Sequence, residues 1–146
     1  MKNPPPGWPR ISSAVFYDDP ARAIDWLVDA FGFVIRIKVE GDGGRIEHSE
    51  LEFGEGLIMV GGAGPSGRED RPVHASPKSV GGMNTQSLCI HVDDADAHCA
   101  YARTKGAKIL IEPKTEDYGE EYFANRSYLA EDPEGHQWWF MQRVRG

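Results

Sequence analysis

His48, Glu50 and Glu52 alternate along residues 44–53, and Cys89 and His91 alternate along residues 87–92. Residues two apart in an extended strand share a face. His48, Glu50 and Glu52 therefore stand together, opposite Ser49, Leu51 and Phe53, and Cys89 and His91 stand together, opposite Leu88, Ile90 and Val92. Imidazole, carboxylate and thiol are the groups from which metal centres and acid–base pairs are built. The competing interpretation is a polar rim in contact with water. By the same alternation Ser12, Ala14 and Phe16 share one face of the first extended stretch, and Gln137, Trp139 and Met141 one face of the last. Aromatic walls with a few polar anchors hold flat organic molecules, and an acidic floor of Glu50 and Glu52 favours a ligand with a positive group. Tyr118 and Arg126 bracket a polar stretch that could close as a flap. Arg126 could hold an anion or pair with a carboxylate, a contact of small worth at a surface. A Glu50 carboxyl in a partly apolar hollow is expected to have a raised pKa, which makes it a candidate general base.

The chain that positions these residues is 146 residues long, 40% apolar and 27% charged, enough for one domain with a real core. Its formal charge of −7 and the absence of a basic patch argue against nucleic acid as a partner. No run of about 18 apolar residues marks a membrane span, and residues 1–9 are proline-rich without the apolar stretch of a signal peptide. Two cysteines, Cys89 and Cys99, are too few for a disulfide scaffold and lack zinc spacing. A cytoplasmic protein is the expectation.

The elements repeat. Alternation over 11–16 runs into Asp18-Asp19-Pro20, after which Ala21, Ile24, Leu27, Val28 and Phe31 take helical spacing up to Gly32. Asp19 suits an N-cap, Pro20 a first helical turn and Gly32 a stop. Alternation over 87–92 runs into Asp93-Asp94, and a second helix with Ala97, Ala100 and Tyr101 on one face is expected before Gly106. Strands are expected after the first helix at 33–39, 44–53 and 57–60, and after the second at 108–112, 122–130 and 137–142. Each half reads βαβββ, which predicts an α+β protein of two modules, 10–62 and 85–142, joined by a mobile Gly-, Pro- and Ser-rich linker at 63–84.

These features resemble the vicinal oxygen chelate superfamily, which includes glyoxalase I, extradiol dioxygenases and bleomycin-resistance proteins. The residues carrying the resemblance are the 19–32 helix unit, His48-Ser49-Glu50-Leu51, the run 92–98, Lys105-Gly106-Ala107 and, most specifically, Asp132-Pro133-Glu134-Gly135-His136-Gln137-Trp138. The resemblance covers residues 10–142 and implies two βαβββ modules forming an open, cup-shaped mixed sheet, commonly in a homodimer. In metal-using relatives each module gives two ligands to one divalent ion; the corresponding positions here are Ser12, Glu50, Ser87 and Trp139. Glu50 alone among them is a competent ligand, so neither a metal nor another cofactor is expected. The resemblance also expects His136 in its turn, with a structural role, and His74 and His98 are read as solvated.

Three functional readings follow. The first is a metal-free protein that binds a small organic molecule, aromatic or cationic, through Phe16, His48, Glu52, Cys89, His91, Tyr118, Arg126 and Trp139, as a sequestering or resistance protein. The second is a lyase, isomerase or dioxygenase with an atypical metal site around His48, Glu50 and His91. The third is a metal-independent enzyme with Glu50 as general base. Residue types alone leave open whether a reaction is catalysed.

Overall fold

The computed structural model describes residues 1–146. Two units divide it, Met1–Ser76 and Pro77–Gly146, and the division falls inside the stretch read as a linker. That stretch carries an isolated bridge between Gly64 and His74 and a 3-10 turn at Pro77–Val80.

In the first unit β1 (Ser13–Tyr17), α1 (Pro20–Trp26), β2 (Val34–Glu40), β3 (Ile46–Phe53) and β4 (Gly56–Gly62) follow in order. Their sheet has the order β1-β4-β3-β2, with β1 parallel to β4 and the other pairs antiparallel. The second unit repeats this with β5 (Leu88–His91), α2 (Ala95–Thr104), β6 (Lys108–Asp117), β7 (Ala124–Glu131) and β8 (Gln137–Arg145), in the order β5-β8-β7-β6. Each unit is thus a βαβββ module with one mixed four-stranded sheet, the α+β architecture that the repeat predicts.

Capping chemistry sets the helix starts. Asp19 accepts a hydrogen bond from the Arg22 N–H at 3.1 Å, with Pro20 in the first turn. Asp94 accepts from the Ala97 N–H at 3.0 Å. Both satisfy a backbone donor that a helix leaves without an internal partner. Beyond Trp26 the chain widens into a π turn, Leu27–Phe31, and stops at Gly32, whose φ of 92° is a left-handed conformation that glycine adopts at little cost. Ile24, Leu27 and Phe31 are buried, with Val15, Tyr17, Leu51 and Val60 from the sheet.

The second helix departs from expectation. Its buried residues are Ala95, Cys99 and Ala102, while Tyr101 is exposed, so the face assigned to Ala97, Ala100 and Tyr101 points the other way. Cys99 and the small alanines let α2 lie close to Tyr128, Trp138 and Phe140, which are fully buried. His98, expected in solvent, instead sits 2.5 Å from the Tyr128 hydroxyl with its ring 4.2 Å from that of Phe140. Strand β6 also runs five residues past the expected end at 112, to Asp117, because its pairing with β7 continues through Thr115, Glu116 and Asp117.

The turn before β8 is organised by one buried carboxylate. Asp132 accepts from the Glu134 and His136 N–H groups at 3.0 and 3.1 Å, and from the Trp138 indole N–H at 3.0 Å. This ties the turn to the largest buried side chain and gives the Asp-Pro-Glu-Gly-His-Gln-Trp segment its physical content.

Candidate functional site

In the first unit, His48, Glu50 and Glu52 lie on the β3 face away from the helix, while Ser49 and Leu51 are buried beneath. Backbone pairing of β3 with β4 covers Leu51↔Ile58 to Phe53↔Gly56. One step further the Ser49 hydroxyl donates to the Val60 carbonyl at 2.6 Å and accepts from the Val60 N–H at 2.9 Å. A side chain there takes the place of a backbone rung.

A β-bulge supplies the partner that strand alternation does not reveal. On β2, Ile35 pairs with Leu51 and Ile37 with Glu50, so Arg36 is the extra residue between them. A bulge re-aims its side chain. The Arg36 Nε and Nη2 both lie 2.8 Å from Glu50 Oε1, and Nη1 is 3.4 Å from Glu52 Oε1. The other Glu50 oxygen is 2.6 Å from His48 Nε2. An ionised carboxylate only accepts, so Nε2 carries the proton and donates. Glu50 is 5% exposed with both oxygens engaged.

Electrostatics follow from that geometry. The hydrogen bonds from His48 and Arg36, with the nearby guanidinium charge, hold the Glu50 carboxyl below the usual carboxylate range, and they outweigh the burial that pushes it up. The raised carboxyl expected for a general base is therefore corrected: pairing wins over desolvation. The acidic floor is corrected with it, since the Arg36 guanidinium already answers the Glu50 charge.

Residues 2–10 also reach this cluster. Arg36 Nη1 donates to the Gly7 carbonyl at 2.5 Å, and its guanidinium carbon lies 4.8 Å from the centroid of the Trp8 ring. Phe16 sits on β1 opposite Gly61, where a Cβ would come within 3.2 Å of the Phe16 ring, so glycine is what lets the ring lie flat across β4. Its ring also stacks on that of His74 at 3.7 Å and 7°; His74 is exposed, as the sequence reading expects.

In the second unit Cys89 pairs with Trp139 and His91 with Met141, so all four share the face opposite the fully buried Trp138 and Phe140. Cys89 is an exposed free thiol. Ser127 and Leu129 extend that face on β7. Arg126 does not belong to it. It aligns with Gln142 and Tyr128 on the helix side and grips Asp96 of α2 through Nε at 2.7 Å and Nη2 at 2.9 Å. Tyr118 stands at the tip of the β6–β7 hairpin, its ring 5.1 Å from that of Phe123. The tip is closed by Tyr118 N–H to Phe123 O at 2.9 Å and anchored by Arg145, which donates to Asp117 and Gly119.

Of the four positions that the resemblance would assign to a metal, Glu50 has both oxygens engaged by Arg36 and His48, and serine hydroxyls and an indole are poor ligands for a divalent ion. Sequence reasoning missed Arg36, Trp8, Ser49 and His74. A bulge interrupts the period on which alternation arguments rest, and the other three act through contacts between segments distant in sequence.

No helix is long and apolar enough to cross a membrane. Among solved structures, TioX from Micromonospora sp. ML1 superposes with a TM-score of 0.70 at 30% identity, over 92% of this chain and 98% of that one. A glyoxalase/bleomycin resistance protein from Streptomyces sp. CB03234 shares the fold at a TM-score of 0.61 and 20% identity, over 88% of this chain and 96% of that one. An uncharacterised protein of Mycobacterium bovis is 29% identical over 94% of this chain and 85% of its own length. The family model for the Glyoxalase/Bleomycin resistance protein/Dioxygenase superfamily matches residues 10–140, and this chain belongs to that superfamily.

Proposed function

We propose that this protein binds a small aromatic molecule without a metal ion, as a sequestering or resistance member of its superfamily. The observation that carries the reading is the occupation of Glu50: Arg36 and His48 take both oxygens of the one metal-competent residue among the four expected positions. The candidate contacts lie, in each unit taken by itself, on the sheet face away from the helix: Phe16, His48 and Glu52 in the first unit, and Cys89, His91 and Trp139 in the second. Tyr118 at its hairpin tip is the peripheral candidate. Arg126 pairs with Asp96 and lies outside these faces. A homodimer is part of the proposal. The edge strand β2 exposes Val34, Ile35, Ile37 and Val39 at 61, 39, 40 and 47%, an apolar edge of the kind that pairs with another chain. Sedimentation of the purified protein tests this part.

Protein purified without a histidine tag and titrated with a panel of aromatic compounds should show a saturable change in tryptophan fluorescence that is unaltered by a chelator. Binding that requires a stoichiometric divalent ion would overturn the reading in favour of a metal-dependent enzyme. Absence of saturable binding across the panel counts against it as well.

A further inference from the structure

Residues 2–10 form a short closed loop whose contacts converge on one side chain of the candidate site. The loop is tied to itself by Arg10 Nη2 to the Lys2 carbonyl at 2.7 Å and by the Trp8 N–H to the Pro5 carbonyl at 3.0 Å. Pro4, Pro5, Pro6 and Pro9 restrict its backbone, so little conformational freedom is lost when it settles on a surface. The family-matched stretch, 10–140, begins at the last residue of this loop. The loop meets the site through Arg36, which donates to the Gly7 carbonyl and lies under the Trp8 ring. The same guanidinium holds Glu50 through Nε and Nη2.

We propose that residues 2–10 are a lid on the polar face of the first sheet and that Arg36 is its latch, coupling lid closure to Glu50; as regulation of the binding site, this rests on the small-molecule reading above. A guanidinium has a fixed planar fork. When Nε and Nη2 are aligned on Glu50, the direction of Nη1 and the tilt of the plane under Trp8 are set with them. A change at Glu50 therefore moves the groups that grip the loop, although Glu50 makes no hydrogen bond to the loop itself. Coupling of this kind is reciprocal: loosening the loop loosens the hold on Glu50.

The test needs no ligand, so its failure is separate from failure of the binding reading. Full-length protein labelled with 5-fluorotryptophan gives fluorine signals for its four tryptophans. That of Trp8 is identified by its loss in Trp8→Phe, and that of Trp138 reports folding. In Glu50→Gln the Trp8 signal should move toward the position and solvent-isotope shift of an exposed indole, and in Arg36→Met it should reach them. Conversely, Trp8→Ala should speed exchange of the Arg36 Nε–H proton by about tenfold, within the usual range of coupling between sites. A Trp8 signal unmoved in folded Glu50→Gln protein overturns the proposal. So does unchanged Arg36 exchange in Trp8→Ala, a variant at a half-buried loop residue that leaves the sheet core intact and so decides the matter even if Glu50→Gln does not fold.

Discussion

Glu50 and Asp117 are both carboxylates paired with an arginine, and they differ in what else touches them. Asp117 takes both terminal nitrogens of Arg145 at 2.8 Å and the Gly119 N–H at 2.8 Å. With Arg145 the larger influence, its carboxyl is lowered from 3.8 to about 2. In Arg145→Met the Asp117 carbon signal, followed by NMR through an acid titration, should shift its midpoint back toward the ordinary range. Because the folded value lies below the unfolded one, the stabilisation from Asp117 is complete above about pH 4 and is lost as pH falls through about 2. Glu50 follows the same sign, being lowered by His48 and then Arg36. At neutral pH it is a fixed negative charge and a weak proton acceptor. It holds His48 and Arg36 in place by hydrogen bonds, an arrangement that no residue type discloses until the partners are known.

Elements decide which of these side chains meet. The Asp132 turn joins β7 to β8 through three hydrogen bonds to one carboxylate. Asp132→Ala leaves those donors in a buried site without their acceptor, and unmet buried donors each cost about 1–3 kcal/mol. Denaturant unfolding should therefore show a loss of about 3 kcal/mol or more, with the near-ultraviolet signal of Trp138 altered first. Packing of α2 on β7 makes a second prediction. Burial pushes the Tyr128 phenol well above its ordinary value. The unfolded chain ionises near pH 10 while the folded one does not, so stability present below pH 10 declines as pH rises beyond it. A spectrophotometric titration should find Tyr128 protonated until the protein unfolds, and Tyr128→Phe should remove that part of the alkaline loss. The helix starts at Asp19-Pro20 and Asp93-Asp94 were legible because caps are local chemistry. The inward face of α2 was not: Cys99 and two alanines win it over Tyr101 only because Tyr128, Trp138 and Phe140 already fill the space.

At the scale of the whole molecule the chain is two βαβββ units of matching strand order, each with a face of polar and aromatic residues away from its helix. A chain whose structure depended on a bound ion would lose stability when the ion was removed. Here dialysis against a chelator should leave the thermal midpoint unchanged, and a clear fall would restore the metal-dependent reading. With a formal charge of −7, weak binding of divalent cations to the surface is expected in such an experiment. A stoichiometric ion surviving gel filtration is the result that would matter.

From the order of residues alone came the repeat, the caps, the strand faces and the family, because each is a pattern of local spacing or a contiguous motif, read once or read twice along the chain. The grouping of His48, Glu50 and Glu52 belongs here too, since the period of a strand is local. Tertiary structure alone decided what that group is. The bulge at Arg36, the loop carrying Trp8, the Ser49 bridge to Val60 and the capture of Arg126 by Asp96 join residues between 11 and 30 positions apart. Charge and hydrogen bonding act through space, so the state of Glu50 is a property of its neighbours in the fold.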